Sequence, residues 1–312
     1  MTKSGVIAIV GATASGKSSL ALVLAEKLNA EIICMDSMQI YRGMDIGTAK
    51  PTMDEQARVP HHLLDIIDPM EPFAVADYVR YAEHAIADVT QRGRVPMLVG
   101  GTGLYLQALM HGLALGGVKS DEAVRSKFVD ISNEPQGNLR LYFMLDAVDP
   151  ITAKRLHPND VRRVIRALEV FELTGIPMSE QKQDKPDKPY EIFPIGLLMP
   201  RELLFERIAL RVHQMMAAGL IAEVEQLLNS GISPDAQSMQ GIGYKEMVPV
   251  IKGEQTTEEA AGQLILNTRH FAKKQGTWFR KEKEIHWIDA LSSTNVHEAA
   301  SAIQSFLTTE RA

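Results

Sequence analysis

One cysteine, Cys34, stands among 312 residues, and aromatic side chains make up only 6% of the chain. A lone thiol excludes an internal disulfide and a cysteine-based zinc site, and it fits a reducing cytosol. Within Glu31-Ile32-Ile33-Cys34 it reads as a small buried hydrophobe, not a nucleophile. Long apolar runs are also missing. None approaches the about 20 residues of a membrane-spanning helix, so no membrane partner is expected. The apolar run behind Lys3 leads into a glycine-rich loop and reads as a core strand, not a signal peptide. Net positive charge is absent too, the formal balance being −6. A mean of that sign weighs against a nucleic-acid partner, but it says nothing of local patches, and the basic residues here are clustered. What remains, 45% hydrophobic and 23% charged, is the make-up of a globular chain with room for one large domain or two.

The first strong signal is Gly11-Ala12-Thr13-Ala14-Ser15-Gly16-Lys17-Ser18, a complete match to the phosphate-binding pattern G-x-x-x-x-G-K-[ST]. Gly11 and Gly16 let main-chain N–H groups turn onto an anion and approach it closely. Lys17 adds a mobile positive charge, and Ser18 a hydroxyl of the kind that holds Mg²⁺ across two phosphates. Val6-Ile7-Ala8-Ile9-Val10 before it reads as a buried parallel strand. Helix formers from Ser19 to Leu28 follow, placing the loop at a helix N-terminus. The loop implies a di- or triphosphate ligand without saying which.

Strand and helix signals alternate over the first 110 or so residues, as a doubly wound parallel sheet requires. Strands are expected at 6–10, 31–35 and 95–99, with helices at 17–28 and 73–91. From 117 to 190 the pattern becomes helical, opened by Gly116-Gly117 and closed by the polar, proline-broken 181–189. This reads as a helical insertion between core segments 1–116 and 191–312. A strand at 192–198, helices at 201–218, 219–230 and 256–281, a short strand near 285–288 and a last helix complete the core. No internal repeat or low-complexity tract is present.

After the second strand comes Asp36-Ser37-Met38-Gln39-Ile40-Tyr41-Arg42-Gly43-Met44-Asp45-Ile46-Gly47-Thr48-Ala49-Lys50-Pro51. Together with the phosphate loop this resembles the tRNA dimethylallyltransferases, also called tRNA isopentenyltransferases. The resemblance continues at Pro60–Asp65, Gly100-Gly101-Thr102-Gly103, His157–Asp160 through Glu169, Gly241–Tyr244 and Lys273–Arg280. It implies a P-loop NTPase-like core with a parallel sheet flanked by helices, plus a mostly helical insertion involved in tRNA binding. The implied reaction moves a dimethylallyl group from dimethylallyl diphosphate to N6 of the adenosine 3′-adjacent to the anticodon, releasing diphosphate. Mg²⁺ and tRNA are the implied cofactor and partner, with no obligate protein partner and a monomer expected. Ala12 departs from the proline common in the family, a small change in loop stiffness.

The resemblance gives Gly11 to Ser18 to the diphosphate, with Lys17, Asp36 and Thr102 as catalytic residues. It gives Asp36, Ser37, Met38, Gln39, Thr102, Arg125, Arg162, Arg163, Arg166, Gly243, Tyr244, Lys273, Lys274 and Arg280 to tRNA. Physically, the amides of 13–17, Lys17 and Mg²⁺ near Ser18 stabilise the leaving diphosphate. By position alone Asp36 is either the acceptor of the N6 proton or a Mg²⁺ ligand through water, and the resemblance favours the base. Thr102 has a helix N-cap as its plain alternative.

Arg207 and Arg211, one helical turn apart, either reach the diphosphate or face solvent. Helical spacing sets Arg162 with Arg166, and Arg269 with Lys273 and Arg280, on stripes that are either solvated faces or phosphate-binding rows. His61 and His62 point to opposite faces of a strand and read as structural, not as a metal pair. Three rival functions stand beside the main one: a P-loop small-molecule kinase, a nucleotide-gated RNA-binding protein without chemistry, and a prenyltransferase acting on free adenine nucleotides. A kinase usually carries an acidic Mg²⁺ ligand at the end of a strand beside the loop strand, and Val95–Val99 ends in Gly100 instead, although Asp36 could fill that place.

Overall fold

The computed structural model describes residues 3–112, 120–181 and 188–309. Gly116-Gly117 and residues 182–187 of the polar link lie outside the described residues. The elements run β1 (Ser4–Val10), α1 (Lys17–Leu28), β2 (Ala30–Cys34), α2 (Met53–Arg58), β3 (His61–His62), α3 (Val75–Gln91), β4 (Val95–Gly100) and α4 (Gly103–His111). Then follow α5 (Glu122–Asn133), α6 (Gly137–Val148), α7 (Pro150–Ala153) and α8 (Val161–Thr174). The chain closes with β5 (Tyr190–Leu198), α9 (Arg201–Ala217), α10 (Leu220–Asn229), α11 (Val248–Ile251), α12 (Thr257–Phe279), β6 (His286–Asp289) and α13 (Asn295–Thr309). Two compact units result: Met1–Met110 with Asp187–Ala312, and His111–Pro186. The sequence pattern sets the insertion at 117–190, whereas these units divide at 111 and 187.

In the larger unit all six strands are parallel, in the order β3-β2-β4-β1-β5-β6. The apolar run of β1 is explained by burial on both faces. Val6, Ala8 and Val10 pack with Ile33, Leu98, Tyr78 and Leu106, while Ile7 and Ile9 pack with Leu20, Leu24, Met97 and Ile303. That period-two split is the signature of a strand covered by helices on both sides. Full burial of each isoleucine stabilises the fold by about 1.5–3 kcal/mol. Parallel strands end together, so the loops after β1, β2 and β4 meet at one edge of the sheet, where open α/β sheets bind ligands.

One polar residue interrupts β2. Glu31 is buried, and its carboxylate takes Arg92 Nη1 at 2.6 Å and lies 2.7 Å from His62 Nε2. His61 turns away to Val59 O, its Nδ1 at 2.8 Å. The two histidines thus fasten the short edge strand β3.

The smaller unit is helical. Phe128, Leu141, Leu145, Val164, Ile165 and Leu168 form its core. Glu169, fully buried, accepts from Ser120 Oγ (2.8 Å), Asp121 N (2.9 Å), Arg125 Nη2 (3.0 Å) and Arg166 Nη1 (3.0 Å). Burial pushes its pKa up, but these hydrogen bonds outweigh burial and hold it below the usual carboxylate value. Among the described residues no helix is long and apolar enough to cross a membrane.

Candidate active site

The phosphate loop bends through left-handed residues, Ala14 at φ 63° and Gly16 at φ 94°. Such alternation gathers main-chain N–H groups on one concave side. Gly16 opens α1 with no side-chain cap, so the first-turn amides are left for a ligand. Not every loop amide is available, a correction to the set 13–17. Thr13 N donates to Gln275 Oε1 at 2.9 Å and Ser15 N to Ala12 O at 3.2 Å. Among the described residues the amides of Ala14, Gly16, Lys17 and Ser18 meet no acceptor. Lys17 Nζ lies 3.5 Å from Ala12 O, reaching back over the loop. Burial lowers its pKa to about 8, with the Asp36 carboxylate acting in the opposite direction.

Two arginines of α9 come to this loop. Arg211 Nη1 donates to Thr13 Oγ1 at 3.4 Å, and the Arg207 guanidinium stands beside Gly16, where a Cβ would lie 3.7 Å from Nη1. Burial pulls the Arg211 pKa down, and Asp36 partly restores it. Both side chains therefore flank the anion cradle and do not merely face solvent.

Asp36 follows β2 after one residue, Met35. Its Oδ1 accepts the Met38 amide at 2.9 Å, and its other oxygen has no partner among the described residues. Thr102 bridges neighbouring loops: its N donates to Met35 O at 3.3 Å, and its Oγ1 accepts from Ser37 N at 3.1 Å. It also stands at the start of α4, receiving the Leu106 amide on its carbonyl, while its hydroxyl is taken up by Ser37 N and not by the helix. Phosphate loop, Lys17, Asp36, Gln39 and Arg211 line one cavity of about 190 Å³, whose apolar wall includes Leu22, Ile32, Leu64 and Val99. At the end of β4 a Cβ on Gly100 would overlap the Met35 carbonyl, so this strand has no room for an acidic residue. Glu55, the second carboxylate on the cavity, is tied into the capping box of α2.

The segment 37–50 is braced from beneath. Gln39 Nε2 donates to Thr48 O and Ala49 O, both at 3.1 Å, and its Oε1 accepts from Cys34 Sγ at 3.3 Å. Glu223 accepts the amides of Asp45, Ile46 and Gly47 and the Tyr244 hydroxyl at 2.7 Å. Tyr244 is fully buried, and Gly243, also buried, donates its amide to Glu246. Their expected contact with tRNA is replaced by a bracing role, because no ring surface reaches solvent. Ser37 and Met38 are half-buried, and neither is among the residues that line the cavity.

The basic rows also change. Lys273 and Lys274 on α12 and Arg280 just after it are exposed, but Arg269 is half-buried over the Phe205 ring at 5.1 Å. In the smaller unit Arg162 and Arg163 are exposed, the latter 3.2 Å from Asp160. Arg166 leaves the row expected with Arg162, since it and Arg125 neutralise Glu169. Glu223 and Gln275 were missed in the sequence. Gln275 had a signal, being a polar residue on the buried side of an amphipathic helix. Glu223 had none, because its partners are amides of a distant loop.

Comparison with known proteins then decides the family. The IPP transferase model matches residues 39–282, and the Isopentenyl transferase model matches 4–65. The chain belongs to the IPP transferase family. It is 48% identical to a tRNA dimethylallyltransferase of Pelotomaculum thermopropionicum, over 92% of this chain and 91% of that one. With tRNA dimethylallyltransferase 1 of Trichlorobacter lovleyi it shares 48% identity over 96% and 98%. The crystal structure of a full-length tRNA isopentenylpyrophosphate transferase from Bacillus halodurans superposes with a TM-score of 0.74 at 44% identity, covering 99% of this chain and 98% of that chain. A eukaryotic dimethylallyltransferase acting on tRNA gives 0.81 at 32% identity, over 98% of this chain and 80% of that one. The P-loop NTPase-like architecture is thus that of the family.

Proposed function

We propose that this protein transfers a dimethylallyl group from dimethylallyl diphosphate to N6 of the adenosine 3′-adjacent to the anticodon of tRNA, with release of diphosphate. The observation that carries this reading is a single cavity joining the phosphate loop to Asp36, with an apolar wall suited to a branched five-carbon chain. As the allylic C–O bond breaks, negative charge gathers on the diphosphate. The free amides of 14 and 16–18, Lys17, Arg207 and Arg211 are the groups we assign to stabilising that charge. The N6 lone pair is delocalised into the adenine ring, so attack requires loss of a proton. The unpartnered oxygen of Asp36 is the acceptor we assign. The target base must leave its stack, a cost of a few kcal/mol that is smaller in a loop than in a duplex.

The Ser18 hydroxyl, a hard-oxygen donor, fits Mg²⁺, which would neutralise charge on the diphosphate. Exposed Arg162, Arg163, Lys273, Lys274 and Arg280 are the phosphate-binding residues we assign to tRNA. The cytosol is the expected site of action, in keeping with a single buried thiol. A kinase is disfavoured by the absence of room for a carboxylate at Gly100. Incubating the purified protein with unmodified tRNA and dimethylallyl diphosphate, then weighing the released nucleosides by mass spectrometry, tests the reading. Dimethylallyl-adenosine from tRNA supports it. Product from free adenine nucleotides but none from tRNA overturns it.

A further inference from the structure

Three loops carry the chemistry proposed above, and one side chain from the far end of the chain holds two of them together. Gln275 lies on the buried side of α12, 7% exposed. Its Oε1 accepts the Thr13 amide at 2.9 Å, and its Nε2 donates to Gly101 O at 2.9 Å. Thr102, the next residue, accepts the Ser37 amide beside Asp36 at 3.1 Å. The result is a continuous hydrogen-bonded path from the phosphate loop through Gln275 to the Gly101-Thr102 turn, and on to the loop bearing the assigned base. There is no slack in it. A Cβ on Gly101 would collide with the Gln275 amide, and one on Gly103 with the Trp278 ring of the same helix. Glycine at these positions lets α12 press against the turn.

We propose that Gln275 is a positioning residue that sets the distance between the diphosphate cradle and the Asp36–Thr102 half of the site. The inference rests on the transferase reading. Neither half needs Gln275 to bind its own ligand. Four loop amides remain free for the diphosphate without Thr13 N, and no tRNA phosphate can reach a buried amide side chain. What needs Gln275 is the alignment of the allylic carbon, held by its diphosphate, with N6, held near Asp36. A shift of about 1 Å between reacting groups costs about 10²-fold in rate.

The test uses two variants of the full chain. Gln275→Met keeps the volume and loses both hydrogen bonds. Gln275→Glu keeps the bond from Thr13 N and sets a carboxylate against the Gly101 carbonyl, so it remains informative if the first variant folds poorly. In each, kcat should fall about 10²-fold and affinity for unmodified tRNA should stay within about twofold of wild type; affinity for inorganic diphosphate should stay within about twofold in the uncharged Gln275→Met. Because Gln275 and Thr102 act through one path, Gln275→Met with Thr102→Ala should lose little more than the worse single change. A wild-type kcat in both folded variants, or losses that multiply fully in the double variant, would overturn the proposal. Wild-type protein without turnover on tRNA would instead defeat the transferase reading itself.

Discussion

Arg211 and Thr13 lie 198 residues apart in the chain, yet the guanidinium of the first donates to the hydroxyl of the second at 3.4 Å. Among the described residues no carboxylate pairs with Arg211 within ion-pair distance, and burial lowers its pKa. A guanidinium held this way is costly until an anion arrives beside it. Charge-assisted hydrogen bonds contribute about 1.5–3 kcal/mol, so Arg211→Ala should weaken inorganic diphosphate binding about 10- to 100-fold by calorimetry. The melting temperature should stay level or rise. Intact affinity with a lowered melting temperature would make Arg211 a structural residue.

Lys17 gives the site a pH dependence of known sign. With its pKa lowered to about 8, the ammonium is charged below that pH and lost above it. Affinity for dimethylallyl diphosphate should therefore fall as pH rises through about 8 in the wild type. In Lys17→Ala this fall should vanish and turnover should collapse, while tRNA binding stays nearly intact. Normal turnover of the variant at saturating diphosphate contradicts the assignment.

The sheet was legible because each strand writes its burial directly. Val6–Val10 is continuously apolar since both faces are covered, and the phosphate loop has one geometry wherever it occurs. The strand at His61–His62 was read with its two rings on opposite faces, as found, but the ring partners, Glu31 on β2 and Val59 in a loop, were not legible because two residues carry no periodicity that would point to them. Arg166 was misplaced for a related reason. Helical spacing puts it beside Arg162, but a buried Glu169 three residues on draws it inward, and an acid's burial is invisible in a list of spacings. Tyr244 looked like a site residue because its motif accompanies the site. Its task is to hold Glu223 under the loop that walls the cavity.

The exposed basic residues make a claim about salt. Arg162→Ala or Lys273→Ala should weaken tRNA affinity and flatten its dependence on log salt by about one unit of slope or less per lost phosphate contact. Turnover at saturating tRNA should change little. Binding that is unaltered across the titration would mean that these side chains face only solvent.

The base assignment concentrates the whole mechanism on one oxygen, and Asp36→Asn examines it with little change in size. The measurement is turnover of tRNA by wild type and variant across a Mg²⁺ titration, with diphosphate affinity followed in parallel. If Asp36 takes the N6 proton, turnover falls by about 10²–10⁴-fold at every Mg²⁺ concentration. Diphosphate affinity is then unchanged or slightly improved, because a negative charge beside the anion has gone. Weak binding of the Mg²⁺–diphosphate pair by the variant, with activity restored at high Mg²⁺, would contradict the account and make Asp36 a metal ligand.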